Sequence, residues 1–258
     1  MGRARPIQHA RAHDYGHLIR RWRSVARSHG LRLTPYASAS GYELFYAETR
    51  RPKKDRPWIY LSAGIHGDEP AATEACLEWV ASTRFVPDDF NVMAFPCLNP
   101  WGLVNNLRRD EDGRDLNRTY HSDSVPQTAA HKALLAGRRF ALALALHEDY
   151  DANGAYIYEL REARPWWAEK LLQAASHHVP IDSRRTIEGR NSRAGIMRRV
   201  INLVEMPEHP EVFVLYFQNA CRIFTIETPS EAHIDSRVAA HVAMIECAAR
   251  LCLAKSAP

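Results

Sequence analysis

The sequence predicts an α/β domain in which helices cover both faces of a sheet. From residue 58 onward, short apolar runs suited to strands alternate with segments of helical periodicity. Uninterrupted apolar runs such as WIYLSAGI are typical of strands buried on both faces, which a helix-covered sheet provides. Polar residues at the carboxyl ends of such strands are therefore the expected place for a functional site.

The remaining elements follow from the same patterns. Predicted helices cover residues 14–29, 71–82, 129–139, 165–176 and 231–253. Predicted strands cover residues 41–49, 58–65, 90–98, 141–147, 154–160, 212–217 and 221–227. The stretch 99–126 is expected to be irregular. The histidines His9, His13 and His17 recur every fourth residue and are expected on the surface of the N-terminal helix.

Composition narrows the function classes. The chain has 258 residues, of which 46% are hydrophobic and 25% charged, so it can bury a sizeable core and is not disordered. Its net charge of +4, from 34 Lys+Arg against 30 Asp+Glu, is too small to indicate a nucleic-acid partner. No apolar run approaches the length of roughly 18 residues that a membrane span needs, so no membrane partner is expected.

Cysteine usage and the amino terminus indicate a compartment. The five cysteines are an odd number without CxxC spacing, which favours free thiols over a disulfide framework or a zinc knuckle. The N-terminal residues are basic but lack the apolar region of a secretory signal. We therefore expect a cytoplasmic protein.

The first polar cluster is HGDE, directly after the strand 58–65. His66 and Glu69 are three residues apart on a turn, so an imidazole nitrogen and a carboxylate oxygen can reach one cation, a pair suited to zinc. Gly64 and Gly67 allow the chain to turn sharply. The same four residues also fit a tight turn with an exposed histidine and an acid at a helix start.

Two further strands end in candidate residues. His147 closes the run ALALALH, where it can supply a third metal ligand or be a hydrogen-bonded core residue, and Glu148 and Asp149 can orient an imidazole. Glu227 ends an apolar strand, where a carboxylate is costly to bury unless it is paired or functional. It can act as a general base or, alternatively, contribute to capping the final helix.

The loop after the strand 90–98 carries the fourth cluster. Asn117 and Arg118 offer amide and guanidinium donors that can hold a carboxylate. Several arginines and acids surround them, so a solvated, salt-bridged loop is the alternative.

Taken in order, HGDE, NPWG, LRRDEDGRDLNR, ALHED and TIETPS resemble the motifs of the zinc carboxypeptidases, the carboxypeptidase A-like superfamily. That superfamily includes murein peptide amidases and the succinylglutamate desuccinylase/aspartoacylase deacylases, and the forms HGDE and DLNR are most similar to this compact branch. The resemblance covers residues 58–230. It implies one α/β domain over residues 1–258 with a mixed, mostly parallel twisted sheet flanked by helices, and residues 1–50 packing on the catalytic core.

The resemblance also implies a metal centre and a base. His66 and Glu69 match the family's HxxE zinc pair, and His147 matches its third ligand, which implies one Zn²⁺ per chain. Glu227 matches the general base that takes a proton from the attacking water.

Three more positions match substrate-binding residues. Arg108 matches the arginine that polarises the scissile carbonyl, and Asn117 and Arg118 match the pair that binds the substrate's terminal carboxylate. The family's mobile tyrosine has no counterpart at the usual offset, and Tyr216 is the nearest candidate.

The implied activity is hydrolysis of an amide bond adjacent to a free carboxylate, as a metallocarboxypeptidase or peptide amidase acting on a small peptide. An N-acyl amino-acid deacylase of the desuccinylase/aspartoacylase type shares the metal and the base, so the motifs leave it open. A non-catalytic binding module is a weaker alternative because ligands, arginine and base are all present. Specificity is expected from the segment before Glu227, where Glu205, Glu208 and Glu211 would favour a cationic group if they point inward.

Overall fold

A mixed sheet of eight strands lies at the centre of the computed structural model, which describes residues 9–82, 89–160, 164–199, 201–202, 207–219 and 222–256. The strands are β1 (Leu31–Ala39), β2 (Tyr42–Thr49), β3 (Trp58–Ser62), β4 (Asn91–Phe95), β5 (Leu142–Asp149), β6 (Tyr156–Leu160), β9 (Ile196–Arg199) and β10 (Ile223–Pro229). Their order in the sheet is β1-β2-β4-β3-β5-β10-β6-β9. A separate hairpin contains β7 (Thr186–Ile187) and β8 (Arg190–Asn191).

Four of the seven strand pairs in this sheet are parallel, and the three antiparallel pairs are β1–β2, β2–β4 and β6–β10. The central strands β4, β3, β5 and β10 all run in the same direction, so their carboxyl ends meet at one edge. The predicted mixed, mostly parallel sheet is confirmed.

Seven helices flank the sheet within the described residues. They are α1 (Tyr15–Ser28), α2 (Pro70–Ala81), α3 (Pro100–Asn105), α4 (Pro126–Leu135), α5 (Ala168–Ala175), α6 (Glu211–Val214) and α7 (Ile234–Ser256), and α6 continues as a π-helical turn, Leu215–Asn219. The apolar sides of α1, α2, α5 and α7 form a hydrophobic cluster with one face of the sheet, whereas α4, α6 and that turn pack on the other face. None of the described helices has both the length and the apolar character needed to cross a membrane.

Alternation along the central strand β5 decides where its last residues point. Leu142, Leu144 and Leu146 belong to the cluster under α2 and α7, whereas Ala143 and Ala145 belong to the cluster under α4 and α6. Because side chains alternate along a strand, His147 lies on the same face as the two alanines. On β10 the same alternation puts Glu227 on this face, and Glu227 is paired directly with His147 in the parallel register.

The structure differs from the sequence-based elements in several places. The segment 212–217, predicted as a strand, is helical, because a short apolar run also suits a buried helix. Strands β1 and β9, hairpin β7–β8 and helix α3 were not predicted. His9 and His13 precede α1, which begins at Tyr15, so they do not share a helix face with His17. Cys221 and Glu205 lie outside the described residues.

Candidate metal centre

The HGDE turn is held against α3 by two glycines. Gly67 donates its backbone N–H to Leu107 O at 3.1 Å, and a Cβ built on Gly67 would lie 1.9 Å from the carbonyl carbon of Gly102. Asn99 caps α3 by accepting the Gly102 N–H at 3.0 Å. The motifs HGDE and NPWG therefore pack directly against each other. This contact holds the turn in place, so α2 begins at Pro70 and Glu69 lies immediately before it.

His66, Glu69 and His147 come together at the carboxyl ends of β3 and β5. His66 Nδ1 lies 2.6 Å from Glu69 Oε1, and His147 Nδ1 lies 2.9 Å from Glu69 Oε2. All three side chains are buried, and their ligand atoms lie within 4.8 Å of one another. Two imidazole nitrogens and a carboxylate facing one point are a donor set that fits zinc, so these residues can hold a metal ion.

Asp115 orients the first histidine. Its Oδ1 lies 3.2 Å from His66 Nε2, and its backbone segment is the amino end of a 3₁₀ turn, Leu116–Arg118. A hydrogen bond from Nε2–H to a carboxylate leaves Nδ1 free to ligate a metal. Asp115 belongs to the same DLNR motif as Asn117 and Arg118 but was not among the predicted site residues.

The charges of the cluster shift its pKa values in opposite directions. Burial alone would lower the pKa of His66, but the Glu69 and Asp115 carboxylates outweigh it and raise the pKa to about 9. Burial alone would raise the pKa of Glu69, but the two histidines lower it to about 2. Both shifts favour positive charge beside an ionised Glu69, which is consistent with metal binding.

Glu227 lies opposite His147 in the β5–β10 register and lines the same cavity as the cluster. Burial, and next the carboxylate of Glu69, raise its pKa well above the usual range for a glutamate. The residue is 9% exposed, and the hydrogen bonds of the described residues include none from its side chain to α7. The capping alternative is therefore not supported, whereas a carboxylate that readily holds a proton is suited to general base and acid chemistry.

The three predicted substrate-binding residues lie on the same cavity, which has a volume of about 840 Å³. Arg108 Nη2 lies 3.2 Å from Asp115 Oδ2, and Nη1 lies 3.7 Å from Glu69 Oε1, so the guanidinium is next to the candidate metal position. Asn117 and Arg118 line the cavity through the 3₁₀ turn. All seven predicted site residues therefore lie on one cavity.

Other predictions about this region are wrong. Glu148 does not orient an imidazole: it accepts the Ala71 N–H at 2.6 Å and pairs with Arg237. Asp149 accepts the Tyr156 hydroxyl at 2.9 Å. Of the acids before Glu227, Glu208 is exposed and Glu211 is buried in a hydrogen-bonded network away from the cavity lining.

Two tyrosines line the cavity, and neither of them is Tyr216, the candidate indicated by the sequence. Tyr216 packs in a hydrophobic cluster and is not among the cavity-lining residues. Tyr156 and Tyr158 do line it, and Tyr156 is the direct antiparallel partner of Glu227. Tyr158 donates its hydroxyl to Glu188 Oε2 at 2.5 Å. The sequence does contain a signal for these two tyrosines: the alternation YIY in the predicted strand 154–160 places both of them on one face.

Part of the chain matches a known family in sequence. Residues 55–152 match the catalytic-domain model of the succinylglutamate desuccinylase/aspartoacylase family. This segment carries six of the seven predicted site residues and ends shortly after His147. The resemblance inferred from the motifs is confirmed. No curated protein is similar enough in sequence to count as a match.

Solved structures match over nearly the whole chain. A proposed metallopeptidase from Shewanella denitrificans superposes with a TM-score of 0.80 at 20% identity, covering 93% of this chain and 91% of the other. Two metallo-carboxypeptidases, from Burkholderia cenocepacia and Pseudomonas aeruginosa, give TM-scores of 0.68 and 0.63 at 16% and 19% identity. They cover 93% and 94% of this chain and 69% of each other chain. The chain has the zinc carboxypeptidase-like fold.

This chain therefore spans most of the length of the Shewanella metallopeptidase, whereas the two metallo-carboxypeptidases are longer than this chain. Identities of 20% or less establish the fold alone.

Proposed function

We propose that the protein is a zinc-dependent hydrolase that cleaves an amide bond adjacent to a free carboxylate, as a metallocarboxypeptidase or peptide amidase. One observation carries the proposal. The buried His66–Glu69–His147 cluster lines one cavity with Arg108, Asn117, Arg118 and Glu227, which lies beside His147 on the adjacent strand. A metal site, a base and carboxylate-binding groups together form the machinery of such a hydrolase.

His66, Glu69 and His147 would hold one zinc ion per chain. When bound, zinc supplies Lewis-acid chemistry, polarising the scissile carbonyl and lowering the pKa of water. The hydrogen bond from His66 Nε2 to Asp115 keeps the ring in the orientation in which Nδ1 faces the ion.

Glu227 moves the proton. Its carboxylate takes a proton from the attacking water and then gives it to the nitrogen of the departing amine. The raised pKa of Glu227 supports the first of these steps, because a carboxylate with a higher pKa is a stronger base toward the attacking water.

The cationic residues bind and orient the substrate. Arg108 is 43% exposed toward the cavity and offers its guanidinium N–H groups to the negative charge that develops on the carbonyl oxygen. Arg118 and the amide of Asn117 bind the substrate's free carboxylate, which positions the amide bond over the metal centre.

An N-acyl amino-acid deacylase is the second candidate. The match of residues 55–152 to the desuccinylase/aspartoacylase catalytic domain favours it. The metal ligands, the base and the carboxylate-binding pair would act in the same way, and only the acyl side of the substrate would differ. The presence of a complete set of these residues argues against a non-catalytic binding module.

The proposal is tested with zinc-loaded protein and three substrate sets: C-terminal peptides, murein-type peptides and N-acyl amino acids. We expect hydrolysis in at least one set, abolished by a chelator and restored by zinc. Glu227→Gln should retain zinc and lose about 10²–10⁴-fold in kcat, because the ligands remain and the base is gone. Wild-type turnover by Glu227→Gln would overturn the assignment of the base, and no turnover in any set would overturn the proposed function.

A further inference from the structure

A buried hydrogen-bonded network lies behind the carboxylate-binding residues. Glu211, at the first position of α6, accepts the Ser62 hydroxyl at 2.5 Å and also the Tyr60 hydroxyl. His131 Nε2 lies 3.0 Å from the Tyr60 hydroxyl oxygen, and His131 Nδ1 lies 2.7 Å from that of Tyr120. These five residues, which we call the Glu211 network, are 4% exposed or less, and none of them lines the cavity.

The protons of the Glu211 network are arranged in one direction. Burial lowers the pKa of His131 to about 3, so its ring is neutral at pH 7 and only one of its nitrogens carries a proton. The Tyr60 hydroxyl donates to Glu211, so it accepts from His131 Nε2–H. His131 Nδ1 then accepts the Tyr120 hydroxyl. Each donor therefore has one defined acceptor, and the series of hydrogen bonds ends at the Glu211 carboxylate.

The network is connected to the cavity through Asn117. The backbone N–H of Glu211 donates to Asn117 Oδ1 at 2.9 Å. This N–H is in the first turn of α6, where no carbonyl of the helix can accept it, so Asn117 also caps the helix. Tyr120, three residues after Asn117, donates its own backbone N–H to His209 O at 3.1 Å. The segment that carries Asn117 and the start of α6 are thus hydrogen-bonded to each other at two points.

The hydrogen bond from Glu211 decides which end of the Asn117 amide is available to a ligand. A backbone N–H can only donate, so it selects the side-chain oxygen and leaves the NH₂ group to donate elsewhere. A substrate carboxylate can only accept, so it needs this NH₂ group. Rotating the amide by 180° would set NH₂ against N–H and offer the carboxylate an oxygen. Because Asn117 lines the cavity, its orientation bears directly on carboxylate binding.

Packing alone would hold α6 without a buried acid. Val212, Phe213 and Leu215 already belong to the hydrophobic cluster on this face of the sheet. Replacing a buried ionic group by well-packed apolar side chains is often neutral or stabilising, so stability does not explain the carboxyl group of Glu211. Hydrogen bonds are directional, whereas apolar packing is not. The carboxyl group therefore contributes a precise position for the start of α6, including the N–H that contacts Asn117.

We propose that Glu211 is a positioning residue for the Asn117 amide, which it holds in the orientation that binds the free carboxylate of the substrate. The hydroxyls of Tyr60 and Ser62 anchor its side chain, and its backbone N–H orients the amide. The inference rests on the proposed function and concerns how its carboxylate-binding pair is organised. It gives Glu211 a role different from the sequence-based expectation, in which this acid faces a cationic group of the substrate.

The test measures how strongly the protein distinguishes a free carboxylate from a primary amide. Two N-acyl dipeptides that differ only in this terminal group are titrated by calorimetry into zinc-loaded Glu227→Gln, in which turnover is removed. Glu211→Ala, added to this parent, should lower the ratio of the two affinities by about tenfold or more, since a hydrogen bond to a charged group is lost. Glu211→Gln keeps an oxygen that can accept both hydroxyls and should stay within about threefold of the parent. An unchanged ratio in Glu211→Ala would overturn the inference.

A double-mutant cycle shows whether Glu211 acts through Asn117. Asn117→Ala alone should lower the carboxylate-to-amide ratio, and adding Glu211→Ala to it should lower the ratio no further. Additive losses in the double variant would contradict the inference, since Glu211 would then act by another route. A ratio that Asn117→Ala leaves unchanged would overturn both the carboxylate-binding role of Asn117 and the inference.

Two further variants separate positioning from stability. Glu159→Ala is the matched control, because Glu159 is a 3% exposed glutamate that accepts the Trp167 N–H at 2.8 Å and does not line the cavity. It should destabilise the protein in urea denaturation and keep the parental ratio. If Glu211→Ala does not fold, Tyr60→Phe removes one hydroxyl from the carboxylate with little change in volume and should lower the ratio by a few fold. A ratio equal to that of the parent would then contradict the assignment.

Hydrolysis by the protein with Glu227 intact tests the proposed function separately. If the wild type hydrolyses none of the substrate sets while the affinity ratio depends on Glu211, only the proposed function is overturned. If the wild type is active while the ratio is independent of Glu211, only the inference is overturned.

Discussion

Three histidine and carboxylate side chains cluster at two places within the described residues, and the two clusters differ in what surrounds them. In His66–Glu69–His147, both Nδ1 atoms face one carboxylate and the group lines a cavity. In His9–Glu74–Glu78, the ligand atoms lie equally within 4.8 Å of one another. Proximity of donor atoms is therefore common to both and cannot by itself identify a metal centre.

The second cluster has its charges already paired. His9 uses both ring nitrogens, with Nε2 2.6 Å from Glu78 Oε1 and Nδ1 2.6 Å from Asp235 Oδ1. Glu74 Oε2 accepts from Arg21 Nη1 at 2.5 Å. These ion pairs join the segment before α1 to α2 and α7, and none of the members lines the 840 Å³ cavity. We interpret this cluster as an electrostatic link between elements, whereas the first has a cavity and a base beside it.

The largest difference in turnover between the clusters should appear when one carboxylate in each is replaced by an amide. Glu69→Gln should abolish detectable turnover, because it removes a metal ligand from the centre. Glu74→Gln should keep turnover within about twofold and cost about 1–3 kcal/mol of unfolding free energy, since Arg21 loses a partner but is one-third exposed. Activity assays and urea denaturation measure the two effects. Comparable loss of turnover in both variants would remove the distinction.

A smaller effect, on zinc affinity, is expected from Asp115, which contacts the metal ligand His66 without being a ligand itself. Asp115→Asn should weaken zinc affinity by about 10–100-fold while leaving the fold intact, because His66 loses the carboxylate that orients it. Asp110→Asn is a suitable control, since Asp110 is a buried acid that pairs with Arg114 and has no contact with the metal ligands. Competition with a fluorescent zinc chelator measures both affinities. Equal affinity in Asp115→Asn and the wild type would show that Asp115 does not orient His66.

The smallest effect concerns the second cluster and pH. Burial alone would lower the pKa of His9, but Glu78 and Asp235 outweigh it and raise the pKa above the ordinary 6.5. A group whose folded pKa is raised stabilises the fold fully below its unfolded pKa, and this contribution is lost as the pH rises through the folded pKa. His9→Gln should therefore destabilise the protein more at pH 6 than at pH 9.

Urea denaturation at the two pH values checks this, with His178→Gln as the control because the His178 side chain is exposed. A destabilisation by His9→Gln that is equal at both pH values would mean that folding does not raise the pKa of His9.

Much of the site was predictable because it depends on local features. His66, Glu69, His147 and Glu227 each end or follow a strongly apolar strand, so their positions at one edge follow from the parallel arrangement of those strands. The carboxylate-binding pair and Arg108 needed the family resemblance, since a short Arg- and Asp-rich loop has no periodicity that fixes where its side chains point.

The features that the sequence did not predict depend on tertiary contacts. The run 212–217 is apolar on every side and is as compatible with a buried helix as with a strand, and its helical state is fixed by packing and by the Glu211 network. Strand β1 contains Pro35 and several polar residues, and its pairing with β2 identifies it only in the folded chain. His9 reaches Glu78 and Asp235 across 69 and 226 residues, a separation that no local pattern shows.

The most direct test of the distinction between the two clusters is the metal content of purified protein, measured by mass spectrometry after zinc loading and dialysis. We predict about one zinc per chain in the wild type, the same in His9→Ala, and none in a His66→Ala/His147→Ala double variant. Zinc that is lost from His9→Ala and retained by the double variant would contradict the account, because it would place the metal in the cluster that we interpret as a structural link.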